Sequence, residues 1–216
     1  MKNKFSLFLA NSFGWFKDNN SSKKIIVAEN KKHLKELIFK EIDKNGLQCD
    51  LNHIDVSHIT DMSDLFSMSL FSGDISKWNV SNVTNMNSMF WQSQFNSDVS
   101  QWDVSNVTDM RKMFWGSTFD GDLSKWNVSK VMNTFGMFFH SEFKGDTSDW
   151  PCYNLYITED MFDGCKAPIP YWFEFENSQD RLKAVEKHQS ILTLTKQIND
   201  ELSINKKSVK DKKLKL

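Results

Sequence analysis

Apolar positions recur along this chain at one fixed interval of 24 residues. Trp78, Trp102, Trp126 and Trp150 form one column, and Phe66, Phe90, Phe114, Phe138 and Phe162 form a second. Phe71, Phe95, Phe119 and Phe143 form a third, and Val56, Val80, Val104 and Val128 a fourth. The register holds from Asp50 to about Gly164 without insertion or deletion. Self-similarity at this period marks stacked repeats, because one such unit cannot bury its apolar face alone. Two shorter periods alternate inside each unit. Around Trp78 and Val80 the apolar spacing is two, which predicts a strand. At Met86, Met89 and Phe90 it is three and then one, which places these side chains on one side of a short helix. Thr60, Thr84 and Thr108 precede that helix and fit an N-cap. The expected architecture is an α/β solenoid of about five 24-residue coils, each with a strand that pairs in parallel with its neighbours.

The flanks read differently. Lys24 to Ala28 predict a short strand, and Asn30 caps a helix from about Lys31 to Lys44 that Gly46 stops. Together they form an N-terminal cap over residues 24–49, before the repeats of 50–166. After the repeats, Pro168 and Pro170 end strand addition, and Trp172 and Phe173 can cover the open end of the core. Residues 167–205 hold this cap and a helix from about Gln179 to Leu202. Ile191, Thr195, Ile198 and Leu202 form one apolar stripe on that helix, and Leu182 and Val185 another. The lysine-rich tail, 206–216, is expected to fray. Residues 1–23 are left unassigned. Their first 17 superficially resemble a signal peptide, but Asn11, Ser12 and Gly14 interrupt the apolar stretch and no small-x-small site follows.

The string WNVSNVTNMNSMF, together with D-[IVL]-S-x-W at the start of each unit, resembles the BspA-like leucine-rich repeat of bacterial proteins. That family includes mycoplasma lipoproteins and bacterial surface antigens. The likeness covers about Leu47 to Lys166. It implies a leucine-rich-repeat plan of strand, short helix and return, and a surface or secreted binding role such as adhesion.

Composition narrows the functional classes. A net charge of -1 gives no overall bias toward nucleic acid or anionic membrane. Cys49, Cys152 and Cys165 are odd in number and lack metal spacing, so free thiols are expected, with a cytoplasmic location favoured and a surface or secreted one as the alternative. No run of 18 apolar residues occurs, so no transmembrane segment is expected. The Asp column (Asp50, Asp74, Asp98, Asp122, Asp146) could form calcium sites, but each Asp accepting a backbone N–H in its own turn fits better. Neither a cofactor nor a metal is therefore assigned. His53 and His58 are expected to face solvent.

No nucleophile–base pair or phosphate loop is visible, so an enzyme is not expected. A docking surface is. Trp91, Trp115 and Phe139 follow the core Phe in three successive units and form a candidate aromatic stripe. Lys77, Gln101 and Lys125 on the predicted strand, and Arg111 and Lys112 on the predicted helix, vary within the constant frame and are further candidates. The function expected is a non-enzymatic protein–protein interaction surface for a protein partner of unknown identity. An exported adhesin of the same fold and a nucleic-acid-associated protein using the lysine tail are the alternatives, nucleic acid being disfavoured because the tail has no interleaved aromatics. The oligomeric state is left open.

Overall fold

The computed structural model describes residues 24–213, with side chains described through Ser203. The question of an export signal in the first 17 residues lies outside the described residues. Strand β1 (Ile26–Val27) pairs in parallel with β2 (Ile54–Asp55), and helix α1 spans Lys31–Asn45 between them. Asn30 caps α1, its side chain accepting the His33 N–H at 3.0 Å, and Gly46 ends the helix at φ 84°. A positive φ there costs glycine nothing, whereas a Cβ would strain it. Leu34 and Ile38 on the inner face of α1 are buried against the first unit.

From Asp50 onward, equivalent residues of successive units are neighbours. Isolated parallel bridges join Asp61 to Asn85, Asn85 to Asp109, Asp109 to Asn133 and Asn133 to Ile157. The Phe66 column stacks ring on ring at 5.7, 5.5, 5.8 and 5.7 Å, nearly coplanar in the first three steps. The Phe71 column stacks beside it at 6.3, 6.3 and 6.4 Å. These rings, the methionines beside them, the valines and the tryptophans form one continuous buried core. Identical residues at identical heights adopt the same rotamer, so each ring lies flat on the next, an offset-stacked arrangement that aromatic pairs favour.

Inside a unit the chain differs from the strand and helix expected there. Residues 78–80 form no strand, and residues 86–92 form consecutive tight turns. The N–H groups of Met89, Trp91 and Ser93 donate to the carbonyls of Met86, Ser88 and Phe90, three residues back, at 3.2 Å each. The alternate N–H groups, of Met86, Ser88, Phe90 and Gln92, point along the stack to the carbonyls of Asp109, Arg111, Met113 and Trp115 at 2.7–2.9 Å. An α-helix would send every N–H four residues back along its own axis. Half of the donors are committed to the next unit, so the helix cannot form. The turns require positive φ at two positions per unit, seen at Ser88 (54°) and Gln92 (50°) and at their equivalents in the other units.

Side chains close the corners. Asp50, Asp74, Asp98, Asp122 and Asp146 each accept the N–H two residues on, at 2.8–2.9 Å. Asp55, Asn79, Asp103 and Asn127 do the same at a second corner. Asp61, Asn85, Asp109 and Asn133 do it at a third. These are Asx turns, which let a short polar side chain replace a missing backbone partner. The third set takes the capping role expected of the Thr column. Thr84 and Thr108 instead donate their hydroxyls to the carbonyls of Thr60 and Thr84, one unit back.

At the C-terminal end a 3₁₀ turn (Tyr171–Glu174) leads into α2 (Ser178–Lys213). The helix continues through residues 206–213, where a frayed tail was expected. Trp172 and Arg181 are buried beneath this cap. His53 is buried as well, not solvent-facing: β1 and α1 cover it, and its Nε2 lies 3.6 Å from the Glu41 carboxylate. Burial pushes the Cys152 thiol up to about 12, in keeping with a small core residue that is no nucleophile.

Candidate docking surface

The segment that makes the ladder between units also presents a surface. Its core side chains point in at Met89 and Phe90 and at their equivalents, while the next residue turns outward. In units two, three and four that residue is Trp91, Trp115 and Phe139, each half-buried. The outward direction comes from the turn geometry, since no helix forms in this segment. Trp115 and Phe139 stack at 4.0 Å with their planes 25° apart, and Phe135 lies 6.3 Å from Trp115. Lys112 sets its ammonium 5.1 Å from the Trp115 ring and 5.6 Å from the Phe135 ring. Such a cation over a π face is a favourable, partly desolvated contact.

Gly136 makes the stacking possible. It sits at φ 56°, and a Cβ there would lie 2.5 Å from the Trp115 ring. Units two and three carry Ser88 and Lys112 at this position, so it is Trp115 whose ring occupies the space a side chain would need. His140 packs edge-on to Phe139 at 4.3 Å, and Arg111 pairs with Asp109 at 3.0 Å on the same row.

The structure therefore brings Trp91, Trp115, Phe139, Arg111 and Lys112 onto one face. Lys77, Gln101 and Lys125 are exposed but form a separate column of their own. Beside the aromatic face lie residues that the sequence reading did not assign to a surface. Met132 is 46% exposed where earlier units carry Thr, and the Tyr156 and Ile157 N–H groups both bond to the Met132 carbonyl. Tyr156 and Ile157 are exposed as well. The signal was present as the break in the Thr column at Met132. The face offers aromatic π surfaces and one ammonium. Among the described residues no three His, Cys, Asp or Glu side chains are placed to hold a metal ion. The carboxylates of the Asp column spend one oxygen each on a backbone N–H.

Repeated units in fixed register, with a variable outer row, define a repeat protein. The chain belongs to the family described as "Mycoplasma protein of unknown function, DUF285", matching it over residues 33–150, 93–169 and 116–206. The overlap of those matches is what an internally repeated sequence produces. No curated protein and no solved structure gives a match. No described helix is long and apolar enough to cross a membrane.

Proposed function

We propose that this chain is a non-enzymatic docking protein, a solenoid of leucine-rich-repeat-like coils related to the BspA-like repeats. Its aromatic face binds a protein partner. One observation carries the reading: Trp115, Phe139, Phe135 and Lys112 form a half-exposed aromatic and cationic cluster on a rigid ladder. Tryptophan is enriched among the few residues that dominate binding energy at interfaces, and aromatic side chains in general are enriched there. A rigid frame lowers the entropy lost on binding, since the rings are already ordered by stacking and by Gly136. The reading holds for a cytoplasmic and for an exported protein alike, because it rests on the face and not on the compartment.

The double variant Trp91→Ser with Trp115→Ser tests it. Circular dichroism should show the fold retained, since the buried Phe columns are untouched. Pull-down from the source cell, with bound proteins identified by mass spectrometry, should lose the partner that the wild type retains. A folded variant that still captures the same partner in full would move the site to the Lys77, Gln101 and Lys125 column.

A further inference from the structure

Each unit donates one row of N–H groups to the unit after it. Met62, Asp64, Phe66 and Met68 give theirs to the carbonyls of Asn85, Asn87, Met89 and Trp91 at 2.7–3.0 Å. The first unit therefore keeps four carbonyls, those of Asp61, Ser63, Leu65 and Ser67, that no donor reaches among the described residues. On the strand side of this end β1 makes the pairing, with the Ile26 and Ala28 N–H groups on the His53 and Asp55 carbonyls, and it stops there. Lys31 of α1 bonds the Asp61 and Ser63 side chains at 3.1 and 2.5 Å. Phe66 has ring partners in its own unit and in the second, and no described ring lies on its outer face. At the other end of the stack Phe173 meets Phe162 edge-on at 5.2 Å. An open ladder edge is a template for another segment, and folded proteins cover it.

The sequence holds one more ladder segment, outside the described residues. Residues 11–16, NSFGWF, repeat residues 133–138, NTFGMF, with Asn, Phe, Gly and Phe identical at four of six positions. The matches fall where the ladder makes a demand. Asn11 stands at the corner where Asp61, Asn85, Asp109 and Asn133 accept the N–H two residues on. Gly14 stands at the left-handed position, φ 53–56° at Asp64, Ser88, Lys112, Gly136 and Asp160, which suits glycine best. Trp15 and Phe16 stand where Met89 and Phe90 point inward, and Leu9 stands at the buried position of Val83. Asp18 falls at the second left-handed position, φ 50° at Gln92, which Asp tolerates better than most residues. Asn11 and Gly14 thus interrupt the apolar stretch of the first 17 residues at the two places where a rung requires them. The likeness covers this half unit alone, and β1 already supplies the strand half.

We propose that residues 9–19 of the same chain cover this edge as an added half unit. In the register of the interior rungs, the N–H groups of Ser12, Gly14, Phe16 and Asp18 donate to the carbonyls of Asp61, Ser63, Leu65 and Ser67, and Phe16 lies on Phe66. None of the four is proline, so each has an N–H to give. Reach selects the chain's own first unit. Inside the stack the chain crosses from Met68 to Trp78 in ten residues. Between Asp18 and Ile26, which pairs with Ile54 in the column of Trp78, it has eight, enough for about 27 Å. The opposite edge, where the N–H groups of Thr158, Asp160, Phe162 and Gly164 find no acceptor among the described residues, lies four units further along. There Phe173 already takes the place that Phe16 would need. This inference is independent of the aromatic face.

Hydrogen exchange of the full chain reads the cover. Residues 9–19 should exchange at least about tenfold more slowly than a synthetic peptide of the same sequence. Gly14→Val, which resists a left-handed φ, should abolish that protection, and Lys17→Ser, at the outward position, should keep it. Equal rates in chain and peptide, or protection that survives Gly14→Val, overturn the proposal. Position is read by oxidising Lys17→Cys with Ser67→Cys in a Cys165→Ser background. Opposite residues of adjacent rungs lie about 5 Å apart, within the range of a disulfide. A bond within one chain is expected at low micromolar concentration. A bond between chains would place the segment on a second copy, and an in-chain bond from Lys17→Cys with Asp163→Cys would place it at the other end. Either result overturns the proposal.

Discussion

At the residue scale, the most telling bond is made by the indoles. Trp78, Trp102, Trp126 and Trp150 donate Nε1–H to the carbonyls of Leu51, Ile75, Val99 and Leu123, each 27 residues earlier, at 2.9–3.2 Å. Each ring therefore fills core volume and also ties its unit to the one before. Trp102→Ala should cost about 3–5 kcal/mol in urea melts through the cavity it leaves. Gln101 is exposed, bonding only to Ser100 at 3.1 Å, and Gln101→Ala should stay within about 0.5 kcal/mol. Equal losses at the two positions would show that the inward and outward rows are misassigned. The Asx corners make a second prediction. The Ser57 N–H and hydroxyl hold Asp55 below the usual carboxylate range, and those of Ser124 do so for Asp122. For Asp103 and Asp146 the hydroxyls of Ser105 and Ser148 lead and the N–H groups follow. A depressed folded pKa gives stability that is fully present above the ordinary value of 3.8 and is lost as pH falls through the folded one. The melting temperature should thus be flat from pH 8 to 5 and fall below about pH 4. Asp122→Asn with Asp146→Asn should soften that fall and lower the neutral plateau by the same ionic contribution, while the turn bond itself persists, as it does at Asn79 and Asn127. An unchanged acid limb would remove these carboxylates as its source.

Within the elements, backbone conformation outweighs local propensity. Ser88, Gln92, Lys112 and His140 adopt left-handed φ that ordinary residues resist, while Gly116, Gly136 and Gly164 occupy equivalent positions at no such cost. The stack compensates the strain by completing four ladder bonds per step. Gly136→Ala should destabilise by about 1–3 kcal/mol, because it adds left-handed strain and a clash with the Trp115 ring. Gln92→Gly should be neutral or stabilising by up to about 1 kcal/mol. Denaturant midpoints for the pair decide this, and a destabilised Gln92→Gly would contradict the strain argument. Helix α1 is the opposite case: its cap at Asn30, its inward Leu34 and Ile38, and its stop at Gly46 are all local, and all appear where the spacing put them.

For the whole molecule, each unit contacts its neighbours, so stability is carried by interfaces between units and the ends matter most. The N-terminal end is closed by β1 and α1. The C-terminal end is closed by Trp172, whose indole bonds the Thr147 carbonyl at 3.0 Å and so continues the tryptophan column at an irregular spacing. Arg181 locks that cap by donating to the carbonyls of Leu155, Trp172 and Phe175. Arg181→Met should leave these buried carbonyls short of a donor and lower the urea midpoint. Hydrogen exchange should then quicken first in residues 147–165 and last in residues 74–121. Uniform quickening along the stack would mean that the units unfold as one block, not from the end.

The sequence by itself determined the register of 24, the columns of core residues, the Asp corners, the N-terminal strand and capped helix, and the candidate aromatic row. All of these follow from spacing or from bonds between residues close in the chain. Tertiary structure decided the rest. Residues 86–92 turn instead of forming a helix because their alternate N–H groups find acceptors 23 residues on, a partner that no local window contains. His53 is buried because α1 folds back over it, and Arg181 is buried because the carbonyls of Leu155, Trp172 and Phe175 converge on it. The face around Trp115 acquires its form from Gly136, Phe135 and Lys112 of neighbouring turns, and only stacking brings those residues together.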